Sequence, residues 1–146
     1  MQTFLPYPDF QKSAEVLDKR RCFNQVNEAG QIINCLLGNS NAWKNHPAVK
    51  MWVGYELLLQ HYYNIFLGYC LDVHKINTQK KFYPYQDFDS IPKPFWLGKE
   101  IFHRAMRSRL IEKNPEFYKD KFPGDSGFNE GKYWWPVMEN KTFRII

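Results

Sequence analysis

The sequence predicts an all-α fold: a single compact domain with a long central helix and irregular, aromatic-rich loops. Three observations carry that expectation. Apolar residues recur at helical spacing in four separate stretches, no run alternates apolar and polar with the period of two that a half-buried strand needs, and no segment repeats itself. At 146 residues the chain has the length of one domain and buries a core without disulfide or metal staples. Aromatic residues make up 18% of it, more than such a core takes up, which assigns some rings to loops and surface platforms.

The opening MQTFLPYP holds two prolines and reads as extended. Asp9 is the expected cap of a helix over about 10–19, with Phe10, Ala14 and Leu17 inward and Lys12 and Glu15 outward. A second helix, about 21–37, follows from Phe23, Val26, Gly30, Ile33 and Leu37, which recur at intervals of three and four; Gly38-Asn-Ser-Asn ends it. Asn45-His46-Pro47 starts a third, with Pro47 at the first helical position. It is expected to run to about Val73, roughly 40 Å at 1.5 Å per residue. Val49, Trp52, Val53, Leu57, Leu58, Tyr62, Ile65, Phe66 and Tyr69 make it apolar nearly all the way round, as befits a central strut. Residues 75–97 carry three prolines and six aromatics and read as an ordered loop pinned by its rings. A fourth helix over about 98–113 turns Ile101, Ala105 and Leu110 inward, and Pro115 follows it. Residues 120–146 read as irregular, without strands.

The net charge of +5 is lopsided: residues 1–73 hold six Lys and Arg against six Asp and Glu, and residues 74–146 hold fourteen against nine. A basic half points to an anionic partner, of which nucleic acid is the commonest. Cys22, Cys35 and Cys70 are far apart, odd in number and form no CxxC pair, which fits the reduced thiols of a cytosolic protein. No basic stretch followed by an apolar core opens the chain, and the longest apolar candidate, 47–71, is broken by Lys50, Glu56, Gln60 and His61; neither signal peptide nor membrane span is expected. Four scattered histidines lack zinc-ligand spacing, and there is no phosphate loop or dinucleotide fingerprint, so neither metal nor cofactor is expected. Gly124-Asp-Ser-Gly resembles the nucleophile segment of chymotrypsin-like proteases over four residues only and reads as a turn.

Three groups invite a functional reading. At 100° per residue, Glu28 falls roughly 150° from the centre of its helix's expected apolar stripe, on a face with Arg21, Asn24, Gln25 and Gln31. It is either a solvated carboxylate or one wall of a polar groove. His46 is either a plain helix cap or, with Lys50 one turn on, part of a helix start that favours an anion. Arg104 and Arg107 are three apart, and Arg109 and Lys113 four apart. They form either basic rungs suited to successive phosphates or a solvated face paired with Glu100 and Glu112.

Four segments, in order, resemble the pyrimidine dimer DNA glycosylase family of the phage endonuclease V type. MQTFLPYPDFQKSAEVLDKRR is similar to the opening of its bacterial and phage branch, and NEAGQII to the stretch around its catalytic glutamate. NHPAVKMWVGYE resembles the start of its central helix, and IPKPFWLGKEIFHRAMRSRLIEKNPEFYK its last helix and the aromatic-basic segment beyond. The resemblance spans about residues 1–120 and leaves 122–146 unmatched. It implies an all-α, metal-free enzyme that bends damaged duplex DNA, flips a base out and cuts the glycosidic bond with the chain's own α-amine. The amine attacks C1′, an imine forms, and β-elimination nicks the strand.

On that resemblance Met1 supplies the amine and Glu28 is the carboxylate that handles protons and the cationic sugar. Arg21 corresponds to the nearby basic residue, and Arg109 and Lys113 to the late phosphate ligands. Gln2, Arg20, Asn24, Asn27, Gln31, His46, Lys50, Arg104 and Arg107 complete the expected DNA-contacting set. The implied partner is duplex DNA carrying a damaged or modified base, bound by a monomer in the cytoplasm of a bacterial or phage-infected cell. The chemistry is consistent: an α-amine titrates near about 8 in peptides and is partly neutral at pH 7, whereas a lysine, near about 10.4, needs burial to match it. Two positions depart from the family. Gln2 is too large for the usual removal of an initiator Met, so either Met1 itself supplies the amine or the lyase step is altered or absent. Asn27 and Gln31 stand where the family carries arginines, which predicts weaker, less salt-dependent duplex binding. A non-catalytic nucleic-acid-binding protein on the same scaffold, and a glycosidic-bond enzyme acting on a nucleotide, are the alternatives.

Overall fold

In the computed structural model, which describes residues 1–146, the chain forms six helices and one small hairpin. Helix α1 (Phe10–Val16) starts at Asp9, whose carboxylate accepts from Lys12 N at 2.9 Å. Helix α2 (Lys19–Leu36) is capped in the same way by Asp18, which accepts from Arg21 N. Its C-terminus turns out through Gly38 at φ +82°, a left-handed conformation natural to glycine. Helices α3 (Pro47–Lys50) and α4 (Glu56–Asp72) follow, then a 3₁₀ turn at Phe88–Ser90, α5 (Glu100–Lys113) and α6 (Pro115–Tyr118). Strands β1 (Trp134–Val137) and β2 (Thr142–Ile145) close the chain. No helix is long and apolar enough to cross a membrane.

Several expectations change. The central helix is two: α3 and α4 are divided at residues 51–55, where Gly54 takes φ +86° and reverses the local hand. The break leaves Val53 and Leu57 exposed instead of facing a core. On α2 the buried set is Cys22, Val26, Ala29, Ile32 and Ile33, because α4 packs across that face; Leu37, expected inside, is 53% exposed. On α5, Phe102, Met106 and Leu110 point inward and Ile101 outward. The tail is not free of strands. β1 and β2 pair antiparallel, Trp134 opposite Ile145 and Val137 opposite Thr142, and mutual backbone hydrogen bonds between Tyr133 and Ile146 (2.7 and 3.0 Å) lock the open end. Trp-Trp-Pro-Val buries its two middle residues in succession, so no alternation betrayed it.

The core runs from α2 through α4 to Trp96 and α5, and aromatic pairs hold its centre: Trp52 lies 5.0 Å from Trp96, and Tyr62 stacks on Phe66 at 4.1 Å. The thiols of Cys22 and Cys70 sit buried and free, 3.4 Å apart, on these same two helices. The 75–97 loop is pinned partly by rings, with Tyr83 against Tyr63 and Phe88 against Phe10, and equally by Asn64, which donates to Tyr83 O and accepts from Tyr83 N. Gly124-Asp-Ser-Gly is a turn, both glycines at positive φ.

Candidate active site

The first seven residues form an arm that runs through the protein rather than over it. Residues 2–5 are buried, and the segment makes no regular structure, so its polar backbone groups need partners from elsewhere. They have them. Gln25 Oε1 accepts from Phe4 N at 2.6 Å, and Tyr62 Oη lies 2.8 Å from both Phe4 O and Gln25 Oε1. His103 Nδ1 lies 2.8 Å from Leu5 O while its Nε2 accepts from Gly98 N, and burial holds the ring neutral. Arg107 donates to Pro6 O at 2.8 Å, and Ser13 bridges both backbone groups of Tyr7. Thr3 accepts from the Trp52 indole.

Threaded in this way, the arm delivers Met1 to a cavity of about 390 Å³ that it lines together with Gln2, Phe4, Glu28, His46, Pro47, Lys113, Tyr133, Trp135 and Ile146. A second cavity, of about 280 Å³, lies on the other side of Glu28 and is lined by Arg20, Arg21, Asn24 and Gln25. Phe4, Glu28 and Lys113 border both, so the two are halves of one groove with the carboxylate between them. The halves differ in chemistry: rings line the first, cations and amides the second.

Glu28 is half-buried, not solvated. Its neighbour Gln25 is 2% exposed and donates Nε2 to Glu28 Oε2 at 2.9 Å, so these two residues of the polar stripe lie under the arm, while Asn24 and Gln31 stay exposed. Burial pushes the Glu28 carboxyl above its ordinary value; the Met1 ammonium, the Gln2 backbone N–H, Gln25 and Lys113 pull it part of the way back. Burial and the same ammonium push His46 down.

The other sequence-expected residues divide. Arg21 reaches the second cavity while pairing with Asp18 at 3.3 Å. Lys113 borders both cavities and has no hydrogen-bond partner within the chain. Asn27 and Gln31 line neither, and Lys50 faces a separate groove beside Arg144. Arg109 lies under Tyr133, 3.8 Å from the ring centroid, and bonds Glu112. The rungs Arg104 and Arg107 are drawn off the expected phosphate face. Arg107 is 9% exposed, with its guanidinium divided among Asp125 (2.7 Å), Glu100 and Pro6 O, and Arg104 shares Asp125 at 3.1 Å. A buried Asp125 needs cations, and these two supply them. Sequence reasoning missed Phe4, Tyr133, Trp135 and Ile146 as lining; the crowding of rings in Tyr-Trp-Trp-Pro was the available signal.

The site is thus a basic groove over a half-buried carboxylate in a helical domain. Residues 1–72 match the model of the pyrimidine dimer DNA glycosylase family. The matched segment ends with α4, so α5 and the hairpin, which complete the groove, lie outside it. No curated protein and no solved structure matches the chain.

Proposed function

We propose that this protein is a DNA glycosylase with AP-lyase activity, which removes a damaged or modified pyrimidine through the α-amine of Met1 and the carboxylate of Glu28. The observation that carries the reading is the shared cavity: the amine and the carboxylate line it together, and the arm that bears the amine is held by four helices. The neutral amine attacks C1′ of the flipped nucleotide and the C1′–N1 bond breaks. Glu28 stabilises the cationic sugar and takes the proton that the nitrogen sheds; the C1′–O4′ bond then opens to give the imine, O4′ taking a proton from solvent. Loss of a C2′ proton, made acidic by the imine, then expels the 3′ phosphate and nicks the strand. Lys113, Arg20 and Arg21 are the cations for the DNA backbone, with Gln2 and Asn24 as neutral contacts; Arg109 stiffens the wall beneath Tyr133. Arg104 and Arg107 serve the fold. Burial raises the Glu28 carboxyl and so makes it a better acceptor for the proton it takes.

Borohydride trapping on a panel of damaged duplexes tests the reading. A covalent adduct mapped to Met1 is the expected result. Folded protein that binds DNA in a salt-sensitive way, carries a free amine by intact-mass measurement and yields no adduct on any lesion or abasic site would leave only a nucleic-acid binder. Glu28→Gln should still bind damaged DNA and lose about 10²–10³-fold in turnover; unchanged turnover would remove Glu28 from the chemistry.

A further inference from the structure

His46 has one nitrogen committed and one open. Nδ1 accepts from Ala48 N at 3.0 Å, capping α3. A backbone N–H donates only, so this bond requires a lone pair at Nδ1 and puts the single proton of the neutral ring on Nε2. Nε2 has no partner within the chain, yet it is not among the buried polar atoms that lack one, so it is open to the cavity or to solvent. The ring is held edge-on between Trp43 (5.7 Å) and Trp135 (5.6 Å), which limits its rotation. Burial and the Met1 ammonium oppose a second proton. His46 is therefore a fixed, uncharged donor in the half of the groove where the rings are, and it has no lone pair left with which to act as a base.

The two halves of the groove suit different parts of a nucleotide. Cations and amides suit the phosphates, and the ring-lined half suits the base. Resting on the reading above, we propose that His46 is the leaving-group donor, its Nε2–H bonding O2 of the departing pyrimidine. As the amine nitrogen bonds C1′ and the C1′–N1 bond breaks, the electron pair passes to N1 and spreads onto O2, where the donor meets it. His46 keeps its proton throughout. The proton shed by the amine nitrogen goes to Glu28 and from there to N1 of the base, which leaves neutral. A donor aimed at charge that exists only once the bond is breaking accelerates that step and no other.

The test uses the full chain and separates two reactions: base excision from a damaged duplex under single turnover, and strand incision at a preformed abasic site, where no base remains to leave. Asn is a strong helix cap, so His46→Asn keeps the Ala48 bond and shortens the donor out of reach. It should lower the excision rate about 10²-fold and leave abasic-site incision and the melting temperature unchanged. His46→Ala should show the same excision loss together with a lowered melting temperature. Excision at the wild-type rate in His46→Asn would overturn the assignment, and so would an equal loss in both reactions, which would mark His46 as structural. If wild-type protein neither excises nor forms a borohydride adduct, the reading of the whole site falls, and this assignment with it.

Discussion

Two stretches of this chain lack regular structure and are rich in proline and rings, yet they have opposite fates. In the arm, residues 2–5 are buried, and residues 4–7 are hydrogen-bonded into the protein from α1, α2, α4 and α5. In the 75–97 loop, only the end at Trp96 enters the core; Phe82 and Tyr85 stand 53% and 83% exposed, and that middle stretch is held at Asn64 and Tyr63. The difference shows what holds irregular backbone in place. Rings alone do not bury it; partners for its N–H and C=O groups do. The arm has such partners because buried polar side chains, Gln25, Tyr62, His103 and Arg107, are spent on it. The consequence is positional: an irregular segment, ordinarily frayed, is anchored at residues 4–7 and carries Met1 to the cavity.

The contrast can be broken at its strongest point. Gln25→Ala removes the acceptor for Phe4 N and Tyr62 and the donor to Glu28, leaving buried groups without partners. It should cost about 2–4 kcal/mol in chemical denaturation and lower turnover about 10²-fold, because the amine loses its fixed position. Retained turnover would mean that the arm does not need its anchor. A smaller effect comes from pH. The Glu28 carboxyl is raised in the folded state, chiefly by burial, so its protonation favours folding at acid pH, and that contribution is lost as pH rises through the folded-state value. Glu28→Gln, which carries no charge there, should be more stable than wild type at pH 7, with an advantage that shrinks toward pH 4. Denaturation curves at the two pH values check the sign. The smallest effect lies in the other region: Asn64→Ala loosens the loop, should cost about 1 kcal/mol, and should leave excision unchanged.

Features legible in the sequence are those decided within one turn of helix. Asp9 caps α1, and His46-Pro47 starts α3, because a cap needs only a side chain and an N–H two or three residues on. The general helical content followed from periodicity. Gly54 was the local signal that went unread; a glycine inside an apolar helical pattern marked the place where the strut divides. Glu28 stood out as an acid on a polar face, but its burial did not, since the arm that covers it approaches from outside the helix.

By itself the sequence determined a helical domain, its caps, an excess of positive charge in its second half and a family match for residues 1–72. Only the tertiary structure decided which basic residues face the groove and which serve as bolts. Lys113 and Arg107 look alike in the sequence, six positions apart on the same helix. Arg107 meets Asp125 and Pro6, the latter 101 positions away, and is consumed by them; Lys113 makes no side-chain hydrogen bond and borders the groove beside Glu28. Helical spacing sets the direction in which a side chain leaves its own helix. What it meets there depends on chain brought in from a hundred residues away, and no local pattern records that.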